Sequence, residues 1–457
     1  MRLHTVILAA GKGTRMRSVL PKVLHCLAAK PLLQHVLDTA SGLQAIKTTI
    51  VYGQQGDWLQ NSVHGSELDW VCQTALLGTG HALAQAVTQD ELTVFSHVLV
   101  LYGDVPLVKL SSLQKMLDQA KKEAELIVLT AHVAEPLGFG RIIRDSAGVL
   151  QAIVEEQDAS ELERQCAEIN SGIMLCSLAL LQHCLPLLQA NNAQGEYYLT
   201  DIVRLARDYN AKIATVRVSD ALEVQGVNDR IQLSVVERYY QRRQAQALMR
   251  NGVTLADPNR IDIRGTLKAA EDVFIDINCI FEGEVQLSAG VNIGPNCLIK
   301  NSKISKNVTI YANTVIDGAI IDAGAIIGPF ARLRPETHIA EAGRVGNFVE
   351  LKKTRLGKAS KVNHLSYIGD AVIGAKVNVG AGVITCNYDG VNKHQTIIKD
   401  DAFIGSSSQL VAPVIIEAGT TVGAGSTITE NTLANSLTLA RAKQITISGW
   451  SRPIKKL

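Results

Sequence analysis

The stretch "IDAGAIIGPFARLRPETHIAEAGRVGNFVEL", residues 321–351, decides the fold of the C-terminal half. Ile321, Ile327, Leu333, Ile339, Val345 and Leu351 stand six apart, and nearly every slot between them holds something small or polar. One aliphatic pair at that spacing could arise by chance, but an unbroken run of six could hardly do so. Neither a heptad nor strand alternation produces this period. It predicts a parallel β-helix, with each aliphatic side chain pointing into a narrow prism and small residues at the corners. The same beat runs upstream through Ile304, Ile310 and Ile316, and downstream through Ile404, Leu410, Ile416, Val422 and Ile428. Aromatic residues make up only 4% of a chain that is 47% hydrophobic, so Val, Ile and Ala carry the packing.

One part of the repeat departs from bland packing. "KVNHLSYIGD", residues 361–370, brings Asn363, His364 and Tyr367 together, a short way after Lys352 and Lys353. A coil takes three hexapeptides, so residues about 18 apart stack on one face. Arg334 and Lys352 have that separation, and Lys352 to Tyr367 is close to it. A face with Arg and Lys together wants an anion. A lone His on such a helix is more often a satisfied surface residue than a catalyst, so His364 draws its interest from Arg334, Lys352, Tyr367, Asn378, Asn387 and Tyr388 on neighbouring coils.

Upstream of the repeat, Ile231, Val235 and Tyr239 fall at i, i+4 spacing among Arg238, Arg242 and Arg243, which predicts one long amphipathic helix over 230–250. Its basic residues read as a solvated face. Further upstream the chain alternates. "HTVILAA", "TTIVYG" and "HVLVLYGD" read as strands, and "PLLQHVLDTA" and "HALAQAV" as helices. That alternation predicts a mostly parallel sheet with crossover helices, whose ligands sit beyond the carboxyl ends of the strands. With 457 residues, two or three domains are expected.

A net charge of +2 gives no reason to expect a nucleic-acid or membrane partner. The eight cysteines show no CxxC pair and no zinc-ligand spacing, which fits reduced thiols in the cytoplasm. No apolar run reaches the length of a membrane span, and "TVILAA" is too short for a signal-peptide core.

After the first strand, "LAAGKGTRM" (residues 8–16) supplies Gly11 and Gly13, whose backbone can approach a phosphate closely. It is neither a Walker loop nor G-x-G-x-x-G, because Met16 stands at the last position. Alone it fits a plain tight turn as well as a phosphate cradle. Arg15 and Lys22 add the cations a polyphosphate requires. Asp104, closing "HVLVLYGD", could hold Mg²⁺ through hard oxygen ligands, or form an Asx turn before Pro106.

The blocks "LAAGKGTRM…LPKVLH", "LGTGHA", "LYGDVPL", "GFGRI", "EINSGI" and "NNAQGEYYLTDI" resemble the signatures of sugar-nucleotide pyrophosphorylases. Together with "GVITCNYDG" and the hexapeptides, nearly the whole chain is similar to a bacterial family. Its members are both glucosamine-1-phosphate acetyltransferases and N-acetylglucosamine-1-phosphate uridylyltransferases. The resemblance implies an α/β chain with an N-terminal Rossmann-like nucleotidyltransferase domain (1–229), a linker helix (230–250) and a left-handed parallel β-helix acetyltransferase domain (251–457) that forms a homotrimer. It implies that Leu8, Ala9, Ala10 and Gly11 contact the uracil nucleotide and that Gln73, Gly78 and Thr79 hold the base. Arg15 and Lys22 would neutralise the triphosphate. Tyr102, Gly103 and Asp104 would lie over ribose and metal, with Asp104 and Asn228 ligating Mg²⁺. Gly140, Glu155 and Asn170 would bind N-acetylglucosamine. Asp229 stands where Asn is common in relatives, and Gln157 where Lys is common.

In the second half, the resemblance makes His364 the base that deprotonates the sugar amine, a task an imidazole suits. Arg334 and Lys352 would clamp the sugar phosphate, with Tyr367 and Asn378 completing the sugar site. Ala381, Asn387, Tyr388, Ser406, Ala424 and Arg441 match positions around acetyl-coenzyme A, at a subunit boundary. Asn387 would also orient the sugar, and the Ala381 N–H would serve the oxyanion. Substrates would be glucosamine-1-phosphate, acetyl-coenzyme A and UTP, and the product, UDP-N-acetylglucosamine, would feed the cell envelope. A rival reading keeps only the nucleotidyltransferase and makes the β-helix a trimerisation scaffold. His364, Lys352 and "GVITCNYDG" weigh against it. A second rival, a regulatory or assembly protein with inactive sites, is opposed by intact Arg15, Lys22, Asp104 and Asn228. Cys386, inside that block, is a candidate for thiol sensitivity, with a purely structural role as the alternative.

Overall fold

A computed structural model describes residues 1–53, 56–65, 67–87 and 94–455, and the chain divides into two units, Met1–Tyr240 and Gln241–Leu457. In the first unit the strands lie in the order Ile213–Arg217, Leu126–His132, Glu168–Ser177, His97–Tyr102, Leu3–Ala9, Lys47–Tyr52, Leu68–Cys72. Neighbours run parallel except Glu168–Ser177, which is antiparallel to both its partners. The hairpin Arg141–Arg144/Leu150–Val154 joins that antiparallel strand at Ile169. The expected mostly parallel sheet is therefore present, with Glu168–Ser177 and the hairpin's Leu150–Val154 reversed.

Period-two patterning splits the core into two layers. Ile7, Leu99 and Leu101 point to one face, under helices Leu32–Ser41 and Leu110–Ala120. Val6, Leu8, Val98 and Val100 point to the other, under Thr79–Ala86, Leu178–Cys184 and Ile202–Asp208. Leu3–Ala9 sits inside the sheet between two parallel partners, so the loops after it and after His97–Tyr102 emerge side by side.

The boundary between units falls within the helix Arg230–Arg250. Its buried face differs from the expected stripe. Of that stripe Ile231 and Val235 are exposed and Tyr239 packs inward, whereas Val236 is fully buried with Leu233, Tyr239 and Tyr240 beside it, against Leu27, Leu32, Leu107 and Val227. Two adjacent stripes on this helix carry similar apolar content, and the neighbouring side chains select between them. In the second half of the helix, Ala245 and Leu248 belong to the β-helix core.

In the second unit the hexapeptide period becomes three stacked parallel faces. On one, Ile293, Ile310, Ile327, Val345, Val362, Val379, Ile404 and Val422 lie in register. Ile316, Leu333, Leu351 and Ile368 stack on the second, and Ile304, Ile321, Ile339, Leu356, Ile373, Ile398 and Ile416 on the third. The six residues of the opening stretch thus visit each face twice, and none is more than 1% exposed. Full burial of each such side chain stabilises by about 1.5–3 kcal/mol. Thr385 fills one inward slot on the second face, its hydroxyl bonded to the N–H (2.7 Å) and C=O (3.0 Å) of Gly369. The coil after Val379 is longer than the rest. Its additional residues, between Cys386 and Thr396, form a loop closed by a Tyr388–Lys393 bridge. Among the described residues no helix is long and apolar enough to cross a membrane.

Candidate functional site

The loop after Leu3–Ala9 turns sharply. Thr14–Met16 is a short 3₁₀ turn bounded by Gly13 and Arg17, both left-handed, and buried Met16 anchors its end. At Gly13 (φ 60°) a Cβ would also lie 2.7 Å from the Lys22 Cβ, so only glycine lets the two segments meet. The result is a cleft of about 660 Å³ lined by Leu8, Ala9, Ala10, Gly11, Arg15, Lys22, Gln73, Gly78, Thr79, Tyr102, Asp104 and Asn228, all expected from the sequence. Lys12, Gly13, Thr14, Leu76, Gln194 and Glu196 line it too. The last two were singled out only as part of the "NNAQGEYYLTD" block. Asn192 shapes that block, its Oδ1 accepting from the N–H groups of Gln194 and Glu196. Gly103 lies under the cleft rather than in it, donating to the Leu8 carbonyl at 3.0 Å.

Gln73 is buried, and its Nε2 meets the Gly78 carbonyl (3.2 Å) and His81 Nδ1 (2.9 Å), which fixes the amide orientation. Lys22 Nζ donates to both Asp104 Oδ2 and Asn228 Oδ1 (3.0 Å), and the Lys22 and Asp104 side chains are 13% and 15% exposed. The carboxylate and amide oxygens therefore converge on one cation. Hard oxygen donors of this kind suit Mg²⁺. No cluster of three or more His, Cys, Asp or Glu exists among the described residues. The backbone hydrogen bond from Val227 N–H to Asp104 O (2.9 Å) ties the segments that carry Asp104 and Asn228 together. Asp229 accepts from the Gln232 N–H (2.8 Å) and so caps the long helix, a role Asn performs equally well. Gln157 is exposed in a turn, and nothing in the structure explains it.

Gly140, Glu155 and Asn170 form a second group on the hairpin side. Asn170 N–H donates to Gly140 O (2.8 Å), and a Cβ on Gly140 would press on the Glu155 carboxylate. Burial pushes the Glu155 carboxyl up, aided by Asp158 and Asp201 and opposed by a hydrogen bond from Thr200 (3.1 Å). Tyr102, hydrogen-bonded to Thr79, is pushed well up by burial and by the Glu155 and Asp104 carboxylates. Tyr102 itself lines the cleft. Arg141, 2% exposed, holds the hairpin through Glu156 (2.7 Å) and the Phe139 carbonyl.

On the β-helix, Arg334 and Lys352 stack in register as expected. Tyr367 stacks on Glu350 rather than beside Lys352, whose partner is Gly369, because this coil takes 17 residues. Glu350 was not anticipated, and it pairs with Arg334 at 2.9 Å. Asn378 follows Lys361 on the adjoining face.

His364 begins a column at one corner. Backbone bonds step down it: Leu365 N–H to Asn347 O (3.1 Å), Gly382 N–H to His364 O (3.2 Å), Ser407 N–H to Ala381 O (2.7 Å) and Gly425 N–H to Ser406 O (2.8 Å). Ala381, Ser406 and Ala424 thus line up under the imidazole, and Arg441 Nη1 donates to the Ala424 carbonyl at 2.7 Å. Asn387 donates to Asp370, and Gly369 is the residue that makes room for it, since a Cβ there would lie 2.9 Å from the Asn387 Nδ2. Tyr388 donates to Gly390 O within the inserted loop. That loop is organised by Asp389, whose carboxyl is held well below the usual range by His394 (2.7 Å) and by the Asn392 and Val391 N–H groups.

Residues 5–169 match a model of the MobA-like NTP transferase domain, and residues 395–430 match six bacterial transferase hexapeptide repeats. The chain is 51% identical to the bifunctional protein GlmU of Marinobacter nauticus, over 99% of each chain. It is equally identical to the bifunctional protein GlmU of Nitrosospira multiformis, over 100% of this chain and 98% of that one. A solved UDP-glucose pyrophosphorylase complexed with UDP-glucose is 17% identical over 53% of this chain and 100% of its own, at a TM-score of 0.44. With full-length identity at this level, and both site regions formed on one chain, the protein belongs to the family of bifunctional GlmU proteins.

Proposed function

We propose that the chain acetylates glucosamine-1-phosphate with acetyl-coenzyme A on its β-helix and then joins the product to UTP in its N-terminal cleft. The products are UDP-N-acetylglucosamine and pyrophosphate. The observation that carries this reading over a scaffold role for the repeat is the column of Ala381, Ser406 and Ala424 directly under His364. A corner stripped of large side chains, headed by an imidazole, suits an extended thioester cofactor.

For acetyl transfer, the neutral imidazole of His364 takes a proton from the sugar amine as its nitrogen attacks the thioester carbon. The Ala381 N–H faces the developing oxyanion. When the C–S bond breaks, the electron pair leaves with the coenzyme A thiolate, which takes the proton back from the imidazolium. Arg334 and Lys352 clamp the phosphate, with Tyr367, Asn378, Asn387 and Tyr388 about the sugar and thioester. For uridylyl transfer, an oxygen of the sugar 1-phosphate attacks the α-phosphorus of UTP and pyrophosphate departs. Phosphate monoesters are already ionised, so no general base is required. Leu8–Gly11, Gln73, Gly78 and Thr79 hold the nucleotide, Gly140, Glu155 and Asn170 the sugar, and Arg15 and Lys22 offset charge. Mg²⁺, when bound by Asp104 and Asn228, cancels phosphate charge.

The assembly proposed is a cytoplasmic homotrimer through the β-helix. Exposed Phe330 and Phe348, stacked at 5.3 Å, and exposed Leu365 support a second copy covering that corner. The deciding experiment compares wild type with His364→Ala and Asp104→Ala. Coenzyme A release should fall by about 10²–10⁴-fold in the first alone, and Mg²⁺-dependent pyrophosphate release by on the order of 10²-fold in the second alone. Wild-type protein that releases no coenzyme A would make the β-helix a scaffold.

A further inference from the structure

We propose that Asn347 is a positioning residue that fixes the tautomer of His364, an inference that rests on the acetyl-transfer reading above. The two residues occupy the same place on successive coils, paired in register on the strands Arg344–Asn347 and Lys361–His364. Asn347 Oδ1 lies 3.0 Å from His364 Nδ1. A carbonyl oxygen can only accept, so the ring hydrogen sits on Nδ1 and the lone pair is left on Nε2, pointing away from the amide. Nε2 is then the nitrogen able to take a proton from an amine. The opposite tautomer would present an N–H to the amine and could not act as its base.

The backbone keeps the pair together. Asn347 and His364 are each followed by a left-handed residue, Phe348 (φ 55°) and Leu365 (φ 53°), so both side chains leave the same corner at the same angle. A Cβ on Gly346 would lie 2.0 Å from the Asn363 carbonyl oxygen, which shows how closely the two coils approach just before the pair. Ser366 Oγ donates to the His364 carbonyl at 2.9 Å, fixing the backbone from the other side. Arg344, Lys361, Glu350, Lys352, Tyr367 and Asp370 are among the charged or titratable groups on the adjoining coils, and among the described hydrogen bonds Asn347 is the partner of the imidazole. No other rung of this column places a polar side chain above an imidazole.

The test replaces Asn347 by Ala and by Asp in the full chain and follows coenzyme A release against pH, with pyrophosphate release from the other site as the folding control. Asn347→Ala should lower kcat for acetyl transfer by about 10- to 100-fold, part of what a positioned base supplies, while KM for both substrates and pyrophosphate release stay within about twofold. Asn347→Asp keeps an acceptor against Nδ1 and adds a charge that favours the imidazolium. It should recover most of kcat, with the acid limb of the profile moved up by about one pH unit. Wild-type kcat in the Ala variant would overturn the proposal. So would an Asp variant no better than Ala, or an Asp variant whose limb stays in place, which is what a merely structural role predicts. If wild type itself releases no coenzyme A, the acetyl-transfer reading fails first, and that outcome is distinct from a silent Asn347.

Discussion

The two candidate sites are built in opposite ways. In the N-terminal cleft, Lys22 meets Asp104 across 82 residues of sequence and Asn228 across 206. On the β-helix, His364 meets Asn347 across 17 residues, and Arg334 meets Glu350 across 16. The sheet gathers distant loops at the ends of its strands, so that site exists only when the whole unit has folded. The helix repeats one step, so each of its contacts lies about one coil away and the stack behaves as a nearly one-dimensional array. A site of the first kind is spread over several segments and held by tertiary contacts. A site of the second kind is written at a fixed interval along the chain.

This contrast can be sharpened by substitution. The largest stability effect is expected at Arg141, whose guanidinium is buried against Glu156. Arg141→Ala should cost about 3–5 kcal/mol and should raise KM for the sugar phosphate, because it loosens the hairpin that carries Gly140. Urea unfolding followed by the helical far-ultraviolet signal reads the first unit, and pyrophosphate release reads the site. In the β-helix, Ile327→Ala empties one inward slot and should cost about 2–5 kcal/mol. Acetyl transfer by the surviving folded fraction should stay near wild type, since the slot lies two coils from His364. Equal damage to kcat there would break the picture of a locally built site.

Smaller effects test the details. Asp229→Ala removes the helix cap and should cost about 1 kcal/mol, whereas Asp229→Asn should be nearly neutral. Thermal melting of both variants decides it. Glu155 gives the smallest change, and its sign depends on pH. Its carboxyl is raised in the folded protein by burial, so the stability linked to it is present below its unfolded value and lost as pH rises through the folded one. Glu155→Gln, which can still accept from Thr200, should therefore raise the melting temperature at about pH 8, with the gain gone near about pH 4. A loss of stability at the higher pH would overturn that reading of the burial.

The limits of the sequence follow the same division. The hexapeptide beat placed the six periodic aliphatic residues of the opening stretch in the core because one residue in six must point inward, whatever else the chain does. Stacking of Arg334 on Lys352 followed from the same arithmetic, but Lys352 and Tyr367 are too close in sequence to span a coil, and a coil of 17 residues sets Tyr367 on Glu350, a count the period alone does not give. Asn347 escaped notice for a related reason. Nothing in its own hexapeptide marks it out, and only its register against His364 on the next coil distinguishes it. On the long helix, the sequence offered the stripe of Ile231, Val235 and Tyr239, of which only Tyr239 packs inward, and neighbours at Leu27, Leu32 and Leu107 buried Val236.

By itself the sequence determined the two architectures, the strand ends and corners where chemistry could sit, and the residue types available there, because hydrophobic period and turn chemistry are local properties of the chain. The tertiary structure decided which of those residues meet: Lys22 with Asp104 and Asn228, Glu155 with Thr200, Glu350 with Arg334 and Asn347 with His364. Hydrogen bonds and charge pairs act over about 3 Å, and the distance between two side chains is set by strand order, coil length and packing rather than by the residues' own identities.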